Sequence, residues 1–199
     1  TEAVRADLLT IVKQHKREEY PRIIRERASF PYLYHLSAIR ENLISGLPVT
    51  NGMRVLERNA EYGALTGRLL DMAGQVVSVA EDEAGAALIR ARYPDAKGRL
   101  TVITEREWAG RGRGSFGESA VGNEAGTGTG AHADGFDRIL IAGCTFRYVR
   151  ELKELRELLT PDGSLILADA NRLGLKYLAG CQEEYRGGYF TGVEGYPAD

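Results

Sequence analysis

The sequence predicts an α/β fold: a doubly wound, mainly parallel sheet behind an N-terminal helical layer. Two observations carry this. Short apolar runs of strand length fall at residues 53–57, 76–80, 100–104, 136–142 and 164–169. Segments with helical apolar spacing lie between most of them, so right-handed crossovers would put helices on both sheet faces. A chain of 199 residues that is 43% hydrophobic can form one domain with a substantial core.

The elements follow in order. Residues 1–29 carry mixed charge, with Leu8, Leu9, Ile11, Val12, Ile23 and Ile24 as a broken apolar stripe. Pro21 separates two helices there, because proline suits a first turn and damages an interior. Residues 30–36 are rich in aromatics and hold His35, a candidate pocket residue. Residues 37–45 read as a helix with Ile39, Leu43 and Ile44 on one face, ended by Gly46 and Pro48. Residues 1–50 thus form a helical layer, 51–170 the α/β core, and 171–199 a C-terminal segment near the substrate mouth.

The first strand, 53–57, runs into an irregular loop at 58–63. Leu65, Leu69, Leu70 and Met72 mark a helix, with Gly74 as its C-terminal cap. After the strand at 76–80, Asp82 is the N-cap of a helix that runs through Tyr93 and ends at Pro94. Residues 110–135 are dominated by glycine and hold few large apolar side chains. They cannot offset their ordering entropy and read as a flexible insertion. No lysine follows at the spacing of a phosphate-binding loop. The apolar strand at 136–142 suits a sheet centre. A helix over 149–159 turns Leu152, Leu155, Leu158 and Leu159 inward, and 160–163 form a turn before the last strand.

Composition excludes several classes. The net charge of -2 gives no basic field for nucleic acid. No apolar run is long enough to span a bilayer, and Thr1 opens no signal-peptide pattern. Cys144 and Cys181 have no metal or redox spacing, so no metal is expected and the compartment reads as cytoplasmic. On an open parallel sheet, ligands bind beyond the strand C-termini where the strand order reverses. That places the site at residues 57–63, 80–82 and 143–146.

Residues 55–66, VLERNAEYGALT, resemble the first motif of class I S-adenosylmethionine (SAM) dependent methyltransferases: a strand, E/D-x-G-x-G-x-G, then a helix. Residues 136–143 resemble that family's fourth-strand motif, and 159–165 its turn into the fifth strand. Residues 34–42, 171–181 and 188–196 look like bacterial methyltransferases often joined to glycosyltransferases in cell-surface polysaccharide pathways. The resemblance implies a Rossmann-like core, SAM as cofactor, and methyl transfer to a sugar or glycan intermediate. It also implies as partners a small-molecule or glycan substrate, and a further domain, a glycosyltransferase or a second copy of the chain. It assigns cofactor contacts to Glu57, Asn59, Glu61, Gly63, Glu81, Asp82 and Gly143. Asn171, Arg172 and Lys176 follow the fifth strand, and with His35 they are the candidate substrate residues, the cations suiting an anionic group. Asp169, His35 and Glu81 are available as bases, and no catalytic residue is assigned. Trp108 and Tyr62 read as packing aromatics and Cys144 as a small buried residue.

Three departures from the family pattern stand beside the match. Asn59 and Glu61 replace the first two motif glycines, where glycine supplies positive φ and close approach. Ala80 stands where the family has an acid for the ribose hydroxyls. Glu81 follows on the opposite pleat, where only an irregularity would re-aim it. A lost charge-assisted bond costs roughly 1.5–3 kcal/mol. The family's final antiparallel strand pair has no clear counterpart after Asp169, so this sheet either lacks its last strands and finishes its edge differently, or the chain is a piece of a longer protein. Asn59, Glu61 and Ala80 favour the alternative reading, a non-catalytic scaffold or binding domain that has lost SAM, whereas the C-terminal resemblance favours methyl transfer. An NAD-dependent oxidoreductase is set aside, because G-x-G-x-x-G is missing after the first strand.

Overall fold

A computed structural model describes residues 2–110, 135–171, 173–182 and 188–190. Five parallel strands form one sheet in the order β3-β2-β1-β4-β5. They are β1 (Arg54–Arg58), β2 (Gln75–Ala80), β3 (Leu100–Thr104), β4 (Phe136–Ala142) and β5 (Leu159–Ala168). The chain works outward from β1 to β3, then crosses back to add β4 on the other side of β1. The switch point therefore lies between the C-terminal ends of β1 and β4, as the sequence predicts. The glycine-rich insertion falls outside the described residues except for its two ends.

One sheet face buries Leu56, Val77, Val79, Ile139 and Ile141 against Tyr148 and Leu155. The other buries Val55, Val76 and Leu140 against Leu65, the N-cap of α4 (Thr66–Met72), and against Leu69 and Leu70 within that helix. Central strands covered on both faces are apolar along their length, and the sequence shows those runs. In α5 (Glu83–Arg92), Asp82 accepts a hydrogen bond from the Gly85 amide at 2.8 Å, the predicted N-cap.

The N-terminal layer consists of α1 (Glu2–Gln14), α2 (Tyr20–Arg27) and α3 (Phe30–Leu36). Leu8, Ile11, Val12, Tyr20 and Ile23 pack against Leu88 of α5. Pro21 sits in the first turn of α2, and the aromatic run is a helix with a proline in its own first turn.

Several local expectations are corrected. Residues 37–45 do not form an amphipathic α-helix; Ala38–Leu43 is a 3-10 helix capped by the Ser37 side chain. With three residues per turn, positions four apart no longer share a face. Ile44 is fully buried while Ile39 and Leu43 are 72% and 51% exposed. Gly74 is not a left-handed cap. A Cβ there would stand 2.4 Å from the Asn51 carbonyl oxygen, so glycine permits a close backbone approach. The segment 149–159 holds a shorter helix, α7 (Leu152–Glu157), after a 3-10 turn at Thr145–Tyr148. Leu159 has left the helix and pairs with Phe136, and the turn at 160–163 lies within β5 as a register shift. Among the described residues no further strand follows β5, only an isolated antiparallel bridge between Gln182 and Tyr189. No helix among them is long and apolar enough to cross a membrane.

Candidate functional site

The loop leaving β1 repeats left-handed backbone. Asn59, Glu61 and Gly63 have φ of 55°, 49° and 75°. The two motif positions that lack glycine thus keep the conformation glycine would supply. Ala60 donates its amide to the Val79 carbonyl and Gly63 to that of Ala60, which closes the loop onto β2. At Gly63 a Cβ would press on Ile89 and Tyr93. Gly143 and Cys144, beyond β4, are left-handed as well.

Neighbouring residues of β1 serve opposite faces. Glu57 is sealed: its carboxylate accepts hydrogen bonds from the Thr66 and Ser78 hydroxyls, each at 2.6 Å. Burial raises its pKa to about 7, opposed by those two hydroxyl donors. Arg58 points the other way and is 1% exposed. Its guanidinium donates to Glu105 and to Glu151, both at 2.8 Å, and lies over the rings of Trp108 and Tyr148. Glu105 opens α6 (Glu105–Gly110) after β3, and Glu151 precedes α7.

Asn59 bridges the switch point. Its amide donates to the carbonyls of Ala142 and Gly143, at 2.9 and 3.1 Å. Glu61 turns toward the helical layer, where its carboxylate accepts from the Tyr34 hydroxyl and from Arg40, both at 3.1 Å. Burial pushes the Tyr34 hydroxyl up to about 12, with Glu61 adding to the shift. His35 lies 3.9 Å from the same carboxylate, yet burial holds its pKa down at about 4, with Arg40 and Arg92 acting the same way. It is a neutral ring wedged between Tyr34 and Tyr62, and its Nδ1 has no hydrogen-bond partner.

A cleft of about 330 Å³ opens beyond the ends of β1 to β4, lined by Asn59, Glu81, Glu105, Arg147, Tyr148 and Glu151. Ala80 faces away, fully buried among Ala60, Ala86 and Ile89. Glu81 lies past the last residue of β2, so strand alternation no longer governs it. Its side chain is 74% exposed, with Arg147 at 3.9 Å. Asp82 is occupied elsewhere, capping α5 and paired with Arg5 at 2.6 Å. The Gly85 amide chiefly, then Arg5, holds its carboxyl below the usual carboxylate range.

No family model matches the chain, and no curated protein matches it. Solved structures do resemble it in fold. A dimethyladenosine transferase from Plasmodium falciparum aligns with 79% of this chain at 15% identity and a TM-score of 0.45. The chain spans half the length of that protein, 50%. A precorrin 8W decarboxylase from Methanobacterium thermoautotrophicum aligns with 72% of the chain and 68% of its own, at 13% identity and a TM-score of 0.49. A SAM-dependent methyltransferase from Thiobacillus denitrificans, in complex with S-adenosyl-L-homocysteine, aligns with 66% of the chain and 48% of its own, at 14% identity and a TM-score of 0.46.

The predicted residues thus divide. Asn59 and Glu81 line the cleft; Gly63 and Gly143 do not, Gly63 lying against Ile89 and Tyr93 and Gly143 beside Asn59. Glu57, Glu61, Asp82 and His35 are engaged within the protein. Asn171 and Lys176 are exposed beyond β5. The Asn171 side chain accepts from the Leu173 amide, and the Lys176 ammonium sits over Tyr177 in α8 (Leu175–Leu178). Arg172 lies outside the described residues. Asp169 is tied to Thr145, accepting from its amide and its hydroxyl. Trp108 is a packing aromatic, as expected, under Arg58. Sequence reasoning missed Arg58, Glu105, Arg147 and Glu151. One signal was available: an arginine continuing an apolar strand must bring its counter-charges with it.

Proposed function

We propose that the chain is a methyltransferase-like protein that binds SAM at the switch-point cleft and transfers a methyl group to a sugar or glycan intermediate in the cytoplasm. One observation carries the reading: the loop after β1 keeps left-handed backbone at Asn59 and Glu61 without glycine. Such backbone costs roughly 1–2 kcal/mol per residue, and strain of this kind concentrates where ligands bind. The cleft beside the loop has the volume of a small-molecule site. Glu81, open to solvent at the end of β2, is suited to accept hydrogen bonds from both hydroxyls of a ribose.

When bound, SAM supplies an electrophilic methyl group. The chain's own work is to bind and orient, which supplies much of the rate for such a transfer. Glu81 would hold the ribose, and Asn59 and Gly143 would shape the space beside it. The acceptor class rests on the resemblance of residues 34–42, 171–181 and 188–196, with Asn171, Arg172 and Lys176 as candidate contacts. A glycosyltransferase, a further domain or a second copy is proposed as partner on the same ground.

A second reading has its own observation. Glu57 and Glu61 accept, and the Asn59 amide donates, hydrogen bonds within the protein. This favours a scaffold that no longer binds the amino-acid end of SAM. Isothermal titration with SAM and S-adenosylhomocysteine separates the two. Micromolar binding supports the first reading, and no heat up to millimolar ligand overturns it.

A further inference from the structure

We infer that Asn51 is a site of spontaneous covalent modification: it deamidates through a cyclic imide closed by the Gly52 amide nitrogen, with isoaspartate as the main product. This chemistry is independent of what the cleft binds. Residues 50–53 form the turn that feeds the central strand β1, closed by the Met53 amide donating to the Thr50 carbonyl at 2.9 Å. Asn51 and Gly52 are both exposed. Among the described residues, neither the Asn51 side chain nor the Gly52 amide has a hydrogen-bond partner. Glycine has no Cβ to shield its nitrogen from the asparagine amide beside it. By contrast, Asn42, Asn59 and Asn171 are followed by Leu43, Ala60 and Arg172, and the Asn59 amide is tied to two carbonyls.

A base takes the Gly52 amide proton, and the nitrogen attacks Cγ of Asn51. The N–Cγ bond forms, the Cγ–Nδ2 bond breaks, and the leaving nitrogen takes a proton from solvent and departs as ammonia. A water molecule then opens the imide, and nothing is oxidised or reduced. Opening at Cγ gives aspartate. Opening at the main-chain carbonyl carbon, the more electrophilic because its Cα bears a nitrogen, gives isoaspartate. The chain then runs through Cβ, and the former main-chain carbonyl is a free carboxylate. That carbonyl is the one packed on Gly74, where a Cβ would stand 2.4 Å from the Asn51 oxygen. The neighbouring Met53 carbonyl accepts from the Gly74 and Gln75 amides at 3.0 and 3.2 Å. Isoaspartate thus lengthens the backbone and sets a charge where the turn meets the entry to β2. Aspartate leaves the main chain as it was.

The test is to age the whole chain in mildly alkaline buffer and map its peptides by mass spectrometry, separating isoaspartyl from aspartyl forms by chromatography against synthetic standards. Asn51 should show the amide-to-acid mass change well before Asn42, Asn59 or Asn171, with the isoaspartyl form in excess. Gly52→Ala should slow the change about tenfold or more, because a methyl group then crowds the attacking nitrogen. That variant should fold, since Gly52 is not left-handed and a Cβ there meets nothing within 4 Å. The isoaspartyl fraction should melt below the fresh protein, and Asn51→Asp close to it. Asn51 changing no faster than Asn42, or Gly52→Ala at the native rate, overturns the imide route. An isoaspartyl fraction that melts with the fresh protein overturns the strain placed at Gly74.

Discussion

The side-chain amide of Asn59 donates to the main-chain carbonyl of Gly143 at 3.1 Å and so ties the end of β1 to the end of β4. With the bond to Ala142, it satisfies two carbonyls at the point where the sheet changes direction. Glycine at this position could supply the backbone but not the tie. Asn59→Ala keeps the strain and loses both bonds, and should cost about 1–3 kcal/mol. Asn59→Gly should cost less, because it relieves the backbone. Urea unfolding of the two variants checks the order.

Arg58 is held by two carboxylates and two aromatic rings from later parts of the chain. Arg58→Met removes the charge that draws Glu105 and Glu151 together. Both partners are about a third exposed and can rehydrate, so the loss should be about 2–4 kcal/mol, short of a fully buried pair. Arg58→Lys should also destabilise, since an ammonium cannot bridge both acids in the planar geometry. Thermal melts would show both, with the methionine variant lower.

Glu57 gives stability a pH dependence. Its carboxyl titrates near 7 in the fold against 4.5 as its ordinary value, because burial disfavours the charge. Between those values the native state holds more proton than the unfolded chain, so this contribution falls as pH rises through the window. It is fully present below about 4.5 and lost above about 7. The effect is on the order of 2–4 kcal/mol. Denaturant midpoints from pH 4.5 to 8 should decline more steeply in the native protein than in Glu57→Gln.

Gly74 and Gly46 make a matched pair. A Cβ at Gly74 would collide with the Asn51 carbonyl, whereas one at Gly46 meets nothing within 4 Å. Gly74→Ala should cost about 1–3 kcal/mol through backbone displacement. Gly46→Ala should be close to neutral, and equal melting temperatures for the two variants would contradict the packing described.

Glu61 links the ligand loop to the N-terminal layer through Arg40 and Tyr34. Glu61→Gly removes the backbone strain at φ 49° and frees Arg40 for a ligand carboxylate. SAM affinity should rise about tenfold, the scale of one charge-assisted hydrogen bond. Titration of the variant beside the native chain measures it, and unchanged affinity would remove Glu61 from the account of the cleft.

The sequence by itself determined the class of fold, the five strands, the Asp82 cap and the switch point between the ends of β1 and β4. Those features follow from apolar runs, local capping and the crossover rule, all read within short windows of chain. Tertiary structure alone decided what each polar group does. Arg58 finds its acids 47 and 93 residues away, and Glu61 finds Arg40 across 21 residues. No periodicity reports such pairings, because they arise when separate crossovers bring strand ends together. Glu81 reaches the cleft and Ala80 does not for a related reason: the pleat ends at Ala80, and beyond it the loop sets direction. The short 3-10 turn at 38–43 escaped the pattern because its apolar residues mimic helical spacing, and only packing revealed which of them is buried.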